Sequence, residues 1–440
     1  MGTASQAISW TIAEHWTKAG EAIAALQWKR RCWQQLLSIG QPLAAVAGIR
    51  SALVQASSPI ERAELLTLLA AALRGLGDFH SVRQVIEERI ALSEEVDDPA
   101  DVRATLAFDL LEAREVHSLD LHSPLAALRN YVADAQLDPV LRLRAARLLM
   151  IMADHSFDQA VAASTFETCR RICAPSPSAE LMQLLTLAIY HTSFGDRSEG
   201  LTCAQDLLNL ATRTEPSWSR IAALRAYSIA HRAMSPVPPS YGVLETAYRE
   251  STEYGVSGAA VVIAELLASF YFDDGRTSDA RRWGDIVQEL ITALPRSECT
   301  PDFFASQIDL ALHAGDIASA SALLSAFDSC APRSPRPRLR RELLVYRARV
   351  DQFAGRRTAE PDFAELSRLH TLAQSSSRHD DHVEVLWVAL NERGKLQEAT
   401  SLLREYLLHT RREVRRCNYW LRERTACDPT WAEPRAQHLA

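Results

Sequence analysis

Apolar residues recur at helical spacing in most windows of the 440-residue chain, and no long run shows the strict alternation that predicts a β-strand. The segment from Leu65 to Leu76 is an example. Its apolar stripe is too broad to be buried against one neighbour, so it predicts a helix that packs on more than one side. The stripe consists of Leu65, Leu66, Leu68, Leu69, Ala72, Leu73 and Leu76. The pattern predicts an all-α fold.

Turn signals interrupt this helical pattern at nearly constant intervals. Where glycines mark successive turns, at Gly275, Gly315, Gly355 and Gly394, the steps are 40, 40 and 39 residues. The 354 residues from Gly40 to Gly394 divide into nine such steps, a mean period of about 39. Further turns fall at Gly77, 117–124, near 155, Gly195 and 235–242. We expect each turn glycine to end a helix with a positive φ, which costs little without a Cβ atom.

A second set of signals lies between these turns and predicts the joints between successive repeats. Proline preceded by serine or aspartate is typical of a helix N-terminus, because the side chain caps the free N–H groups and proline tolerates the first turn. The joints include Ser57-Ser58-Pro59, Asp97-Asp98-Pro99, Asp138-Pro139, Pro175 to Ser178, Pro295, Pro332 to Pro337 and Ser375 to Ser377. One repeat is therefore a helix, a short turn, a second helix and a joint.

A small residue, a bulky residue, the turn glycine and a second small residue recur at fixed spacing. We expect the small residues to allow close approach of two helices and the bulky one to fill the groove. The positions are Ala13, Trp16, Gly20 and Ala25 in one segment and Ala268, Tyr271, Gly275 and Ala280 in another.

This spacing resembles the helix-turn-helix signature of the tetratricopeptide-repeat (TPR) family, and the resemblance covers essentially Ser9 to Arg416. The period of about 39 residues departs from the family's ~34, which leaves HEAT-type repeats as an alternative. Long-period arrays of this kind look like the sensor regions of bacterial maltose-regulator-like signal-transduction ATPases. The segment Ile12 to Trp28 is similar to the one that follows the ATPase core in those proteins.

The resemblance implies a right-handed α-solenoid of about ten antiparallel helix pairs. We expect N-terminal capping helices over 1–40, the repeat array over 41–400, and a C-terminal capping helix with a frayed tail over 401–440.

The composition of the chain limits the classes of function that it can have. The chain has 48 Lys plus Arg against 55 Asp plus Glu, so direct nucleic-acid binding is not expected. Its longest apolar stretch, Gly258 to Phe272, is too short for a membrane span and contains Glu265. The start of the chain has no apolar signal-peptide core, and eight scattered cysteines suggest reduced thiols. We expect a cytoplasmic protein.

Catalytic and metal-binding motifs are weak or absent in the sequence. It contains no P-loop, no G-x-G-x-x-G and no G-x-S-x-G motif, so we expect a protein without enzymatic activity, cofactor or metal. His379 to His382 favours helix capping over a metal site, and Cys169 with Cys173 favours core packing over zinc binding.

Two segments are rich in arginine. Arg333 to Arg341 holds five arginines and is interpreted as an exposed joint, with an anion-binding patch as the alternative. Arg404 to Arg424 carries seven arginines against three glutamates. It is interpreted as the polar face of a terminal helix, with docking of an acidic partner or a nucleic acid as the alternative.

Stacked helix pairs curve so that the first helix of each pair lines a concave groove. The repeat register predicts polar groove positions at Arg225, Arg232, Glu265, Ser269, Asp309, Arg349, Gln352, Glu384 and Asn391. Charges in such a groove need partners, so they either bind a polar ligand or pair with each other across helices.

Two functions remain open. In the first, the chain is the sensor or interaction region of a bacterial regulator and binds a protein, a peptide or a small-molecule effector. Alternatively, it is a standalone scaffold that binds peptide or protein partners in the groove.

Overall fold

The computed structural model describes residues 2–38, 42–76, 78–115, 125–213, 218–234, 241–253, 257–292, 301–331, 335–373 and 383–409. Within these residues the protein is all-α, with twenty-one helices and no β-strand. The predicted fold class is confirmed at this level.

The helices follow one another with short connections. They are α1 Gly2–Lys18, α2 Ala22–Ser38, α3 Pro42–Gln55, α4 Pro59–Gly75, α5 Phe79–Ala91, α6 Ala100–Glu115, α7 Leu125–Ala133, α8 Pro139–Ser156, α9 Gln159–Arg171, α10 Pro177–Ser193, α11 Arg197–Arg213, α12 Trp218–Met234, α13 Tyr241–Glu253, α14 Ser257–Asp273, α15 Thr277–Thr292, α16 Pro301–His313, α17 Ile317–Cys330, α18 Pro337–Phe353, α19 Glu360–Leu372, α20 Val383–Asn391 and α21 Leu396–His409.

Three predicted joints are capped helix starts. Ser58 accepts a hydrogen bond from the Glu61 N–H, and Ser176 accepts one from the Ala179 N–H, each with proline in the first turn. Asp138 accepts from two backbone N–H groups at the start of α8. Glu61 in turn accepts from the Ser57 N–H, which satisfies a further free donor. These contacts fix where each helix begins.

The predicted left-handed turn is present at five glycines. Gly20, Gly275, Gly315, Gly355 and Gly394 all have φ between 69° and 79°. Each lies just beyond the end of a helix and is followed within a few residues by the next helix, so the chain reverses there at little steric cost. Gly40 and Gly77 lie outside the described residues.

Gly195 does not follow this rule, and the expectation of a positive φ there was wrong. A Cβ atom at this position would lie 2.6 Å from His191 Nδ1 and 3.0 Å from the His191 Cα. Glycine is needed because the buried His191 side chain occupies the space. At the turn near 155 a buried Phe157 takes the left-handed conformation itself, with φ 55°.

The small residues of the repeat signature lie where the helices cross. Ala13, Ala25, Ala268 and Ala280 are all buried. Tyr271 is buried too, whereas Trp16 stays partly exposed on α1, which packs mainly on α2. A larger side chain at any of these alanines should therefore disturb helix packing.

Four main apolar clusters follow one another along the chain. The first joins α2 to α6, the second joins α6 to α10, the third joins α10 to α18, and the last joins α18 to α21. The core is thus a succession of local cores, each shared by neighbouring helices.

With the register set by the turns from Gly40 to Gly394, the even-numbered helices α2 to α20 are the first helices of the predicted pairs. Most of them pack against one another as well as on their neighbours in sequence. Contacts join α8 to α10, α10 to α12, α12 to α14, α14 to α16, and α16 to α18. Because the first helices approach one another more closely than most second helices do, they lie on the inside of the curve. We call the surface that they form the inner wall.

The chain also comes back against itself. α18 packs on α8, ten helices earlier, and Arg338 donates a hydrogen bond to Asp154 Oδ2 at 2.7 Å, 184 residues away in sequence. The first helices α8 to α18 therefore form a closed circuit, which we call the ring. None of the helices described is long and apolar enough to cross a membrane.

Replacing Gly315 tests the left-handed turns. Nothing lies within 4 Å of a Cβ atom there, so Gly315→Ala should lose about 1–2 kcal/mol through backbone strain alone. Gly315→Asn should lose less, because asparagine tolerates this conformation. Thermal melts of both variants check this, and equal melting temperatures for the parent and Gly315→Ala would contradict it.

Overpacking tests the helix crossings. Ala268→Trp or Ala280→Trp should cost about 1–3 kcal/mol or more, because neither buried site has room for an indole. The measurement is the thermal unfolding transition of each variant. Melts that match the parent for both would show that these alanines do not lie at a crossing.

Candidate partner-binding inner wall

The predicted groove residues lie on first helices, but they differ in exposure. Glu265 on α14 is fully buried. The side chain of Glu384, on α20, lies outside the described part of the structure. The half-buried members are Arg225, Arg232, Ser269, Asp309, Arg349, Gln352 and Asn391.

Two of the predicted residues pair with each other. Arg349 of α18 forms an ion pair with Asp309 of α16, and both side chains are largely buried. The Tyr346 hydroxyl donates to the other oxygen of Asp309 at 3.3 Å. The guanidinium of Arg349 also lies 5.6 Å from the centre of the Tyr346 ring. Asp309 and Arg349 thus join two successive first helices.

Arg232 takes part in a second bridge, between α12 and α14. Its guanidinium lies 3.4 Å from Asp274 and 4.4 Å from the centre of the Phe270 ring. The Tyr241 hydroxyl donates to the same carboxylate. Burial and the negative charge of Asp274 raise the pKa of Tyr241, so this tyrosine stays protonated as a donor.

The two predicted amides bind backbone carbonyls. Gln352 Nε2 donates to the Val385 carbonyl at 3.3 Å and so ties α18 to α20. Asn391 Nδ2 donates to the Trp387 carbonyl at 3.0 Å, within its own helix. These contacts position the end of the array, and they occupy amide N–H groups that a ligand would otherwise use.

The strongest charged group on the first helices was not predicted. It consists of Arg74 on α4, Asp109 and Glu112 on α6, and Arg144 and Arg147 on α8, and we call it the charge cluster. Arg144 Nη2 lies 2.7 Å from Asp109 and also bonds Glu112. Arg74 lies 2.9 Å from Asp109, and Arg147 lies 3.4 Å from Glu112. The charge cluster therefore links three successive first helices.

Electrostatics favours the ionised form of Glu112. Burial alone would raise the pKa of this carboxyl, but the positive charges of Arg144, Arg74 and Arg147 outweigh burial and lower the pKa to about 2. Burial lowers the pKa of Arg147, because Glu112 compensates it only in part. Three cations meet two carboxylates, so the cluster carries a net positive charge.

A sequence signal for the charge cluster existed. Asp109 and Glu112 are three residues apart, and so are Arg144 and Arg147, which follow them by 35 residues each. Two acids on one face of a helix and two bases at the same spacing on the next first helix predict a bridge. The predicted groove positions begin only at Arg225 and so do not include these earlier helices.

The arginine-rich segment 333–341 is not an exposed joint, and that interpretation was wrong for its described part. Arg336 and Arg341 are only 2% and 6% exposed, and Arg338 pairs with Asp154 and with Glu342. The described part of the segment forms the start of α18, which packs on α8. Most of Arg404 to Arg424, the tail from 428 and His379 to His382 lie outside the described residues.

The described residues contain no group of three or more His, Cys, Asp or Glu side chains placed to hold a metal ion. Cys169 is buried, as predicted, whereas Cys173 is exposed. Burial raises the pKa of the Cys169 and Cys203 thiols to about 12, so both remain protonated.

An open cleft of about 450 Å³ lies between α7, α8 and α9. Its two threonine hydroxyl groups are used by their own helix, since Thr165 donates to the Val161 carbonyl and Thr168 to the Ser164 carbonyl. Arg129 is the basic side chain that lines it. The cleft offers little polar chemistry for a specific small ligand.

Comparison with known proteins adds little. No protein family profile matches the chain, and no curated protein matches it. Among solved structures, the crystal structure of yeast Tom70 is similar to it, with 13% sequence identity, 99% coverage of both chains and a TM-score of 0.37.

Glu112 gives a test of the charge cluster. Glu112→Gln should cost about 3–5 kcal/mol at pH 7, because three arginines lose a buried counter-charge. A carboxylate with a lowered pKa stabilises the fold above its ordinary pKa of 4.5, and this contribution disappears as the pH falls towards about 2. The difference in melting temperature between parent and variant should therefore shrink over that range. A difference that is independent of pH would contradict this assignment.

Proposed function

We propose that the protein is a non-catalytic interaction module, a TPR-like right-handed solenoid of about ten helix pairs. Its inner wall binds a segment of a protein or peptide partner. The wall is long and polar and is built from many helices, so it suits an extended ligand that makes many small contacts.

The observation that carries this proposal is the closed circuit of first helices with charged bridges between them. Arg349 with Asp309 and Arg232 with Asp274 hold their side chains in place across helix boundaries. A surface whose side chains are already ordered loses less conformational entropy on binding than a flexible one. The inner wall is thus suited to recognition.

The regulatory setting is the finer part of the proposal. We propose that the module serves as the sensor region of a larger bacterial regulator, on the strength of the pattern from Ile12 to Trp28. A partner that binds the wall more tightly in one curvature of the solenoid would shift the population towards that curvature.

Partner capture tests the inner wall. The parent and an Arg225→Glu plus Arg349→Glu variant are used as baits in lysate of the source organism, and we expect the variant to lose the parent's partners. The matched control is Arg170→Glu plus Arg171→Glu on the second helix α9, where both side chains are exposed. The control should keep the partners.

Arg349 also pairs with Asp309, so helicity and melting temperature must be compared first. Ser269→Trp adds bulk to the wall without removing an ion pair and should give the same loss of partners. If both wall variants fold and retain every partner, the inner wall is not the binding surface.

A further inference from the structure

The contact that closes the ring joins two helix ends. Asp154 lies in the last turn of α8, and Arg338 lies in the first turn of α18. The Asp154 carboxylate is 5% exposed and the Arg338 side chain 21%. Arg338 is also bonded to Glu342 of its own helix at 3.1 Å. We call the pair of Asp154 and Arg338 the closing contact.

Both charges stand against the dipole of their own helix. An acid is unfavourable near a helix C-terminus, and a base is unfavourable near an N-terminus, by a few tenths of a kcal/mol to about 1 kcal/mol each. Local helix stability would therefore favour the opposite charge at each position. The ion pair between Asp154 and Arg338 compensates for these unfavourable interactions with the helix dipoles.

No apolar core reinforces the closing contact among the described residues. The buried apolar residues of α8 belong to the cluster that joins α6 to α10. Those of α18 belong to the two later clusters, one shared with α10 to α17 and one shared with α19 to α21. Neither cluster of α18 has a member on α8. The Asp154–Arg338 ion pair thus joins two helices that share no buried apolar cluster, whereas the other first helices of the ring do share such clusters.

Polar closure has a physical consequence. An ion pair that is taken out of water gains little net free energy, because desolvation offsets most of the attraction. Separating α8 from α18 returns two charges to water and exposes no shared apolar core. The ring should therefore open at this point before any other junction separates.

We propose that the closing contact is a latch that opens and closes the ring. In the closed state the first helices from α8 to α18 form an uninterrupted circuit around the inner wall. In the open state a partner segment gains access to it, a step that rests on the proposed function. Arg338 of α18 pairs with Asp154 of α8 and also with Glu342 of its own helix.

Charge reversal tests the latch without any partner. Arg338→Asp places two acids in contact across the ring, although it suits the N-terminus of α18 better than arginine does. Asp154→Arg on α8 places two bases in contact across the ring. Each single variant should increase the maximum dimension measured by small-angle X-ray scattering. It should also speed amide hydrogen exchange about tenfold in the last turn of α8 and the first turn of α18.

The double variant, Asp154→Arg with Arg338→Asp, restores an attractive pair and should return both measurements to parent values. The matched control is Arg356→Asp. Arg356 is on the turn after α18, is 59% exposed and pairs only with Asp351 nearby among the described residues. It should leave shape and exchange unchanged.

Helicity by circular dichroism separates opening from unfolding. If a reversal variant loses helicity, the milder Arg338→Gln is measured instead. It should give smaller increases in the maximum dimension and in the amide exchange rate. Single variants with parent-like scattering and exchange would overturn the latch, as would a double variant that stays as open as the singles. Because no ligand enters these measurements, failure of the latch is distinct from failure of the inner wall to bind a partner.

Discussion

Close approach of helix backbones at small residues is the constraint on which the architecture depends. Ala268 and Ala280 are buried on either side of the turn at Gly275, so α14 and α15 meet with little side-chain volume between them. A larger residue at either position would separate the two helices. Since each pair also packs on the next, such a change would alter the curvature of the whole array.

Close packing of the first helices brings charged side chains into contact across helix boundaries. Each such charge must find a partner, because the surroundings are partly dry. The structure meets this need with arginine–carboxylate bridges, from Arg30 with Glu64 near the start to Arg349 with Asp309 near the end. Arginine suits this role because its planar guanidinium can bond two carboxylates, as Arg144 does.

Local features of the fold were predictable from the sequence. Ser58, Asp138 and Ser176 cap the helices that they precede, and the glycines at 275, 315, 355 and 394 take the left-handed conformation. These outcomes depend on a few neighbouring residues whose preferences are intrinsic. Asp309 and Arg349 were placed on first helices by register alone, although the register did not show that they bond each other.

The contact between helices far apart in sequence was not predictable, because it depends on the sum of many small rotations between successive helix pairs. The return of α18 to α8 follows from the angles at the five junctions between six successive helix pairs, and local residue preferences do not specify those angles. The buried Arg336 and Arg341 were misread for this reason. Gly195 was misread because the relevant neighbour is the side chain of His191, which local turn preferences do not describe.

The succession of separate apolar clusters bears on how the molecule loses its structure. Apart from the contact between α8 and α18, blocks that share few buried residues behave as coupled segments in one dimension. Each segment then has its own intrinsic stability and a further free-energy contribution from its junction with the next. Denaturation of such a chain is a sequence of partial transitions, so a single midpoint averages over several events. Among the described residues, the segment from α10 to α18 holds the most extensive of these clusters.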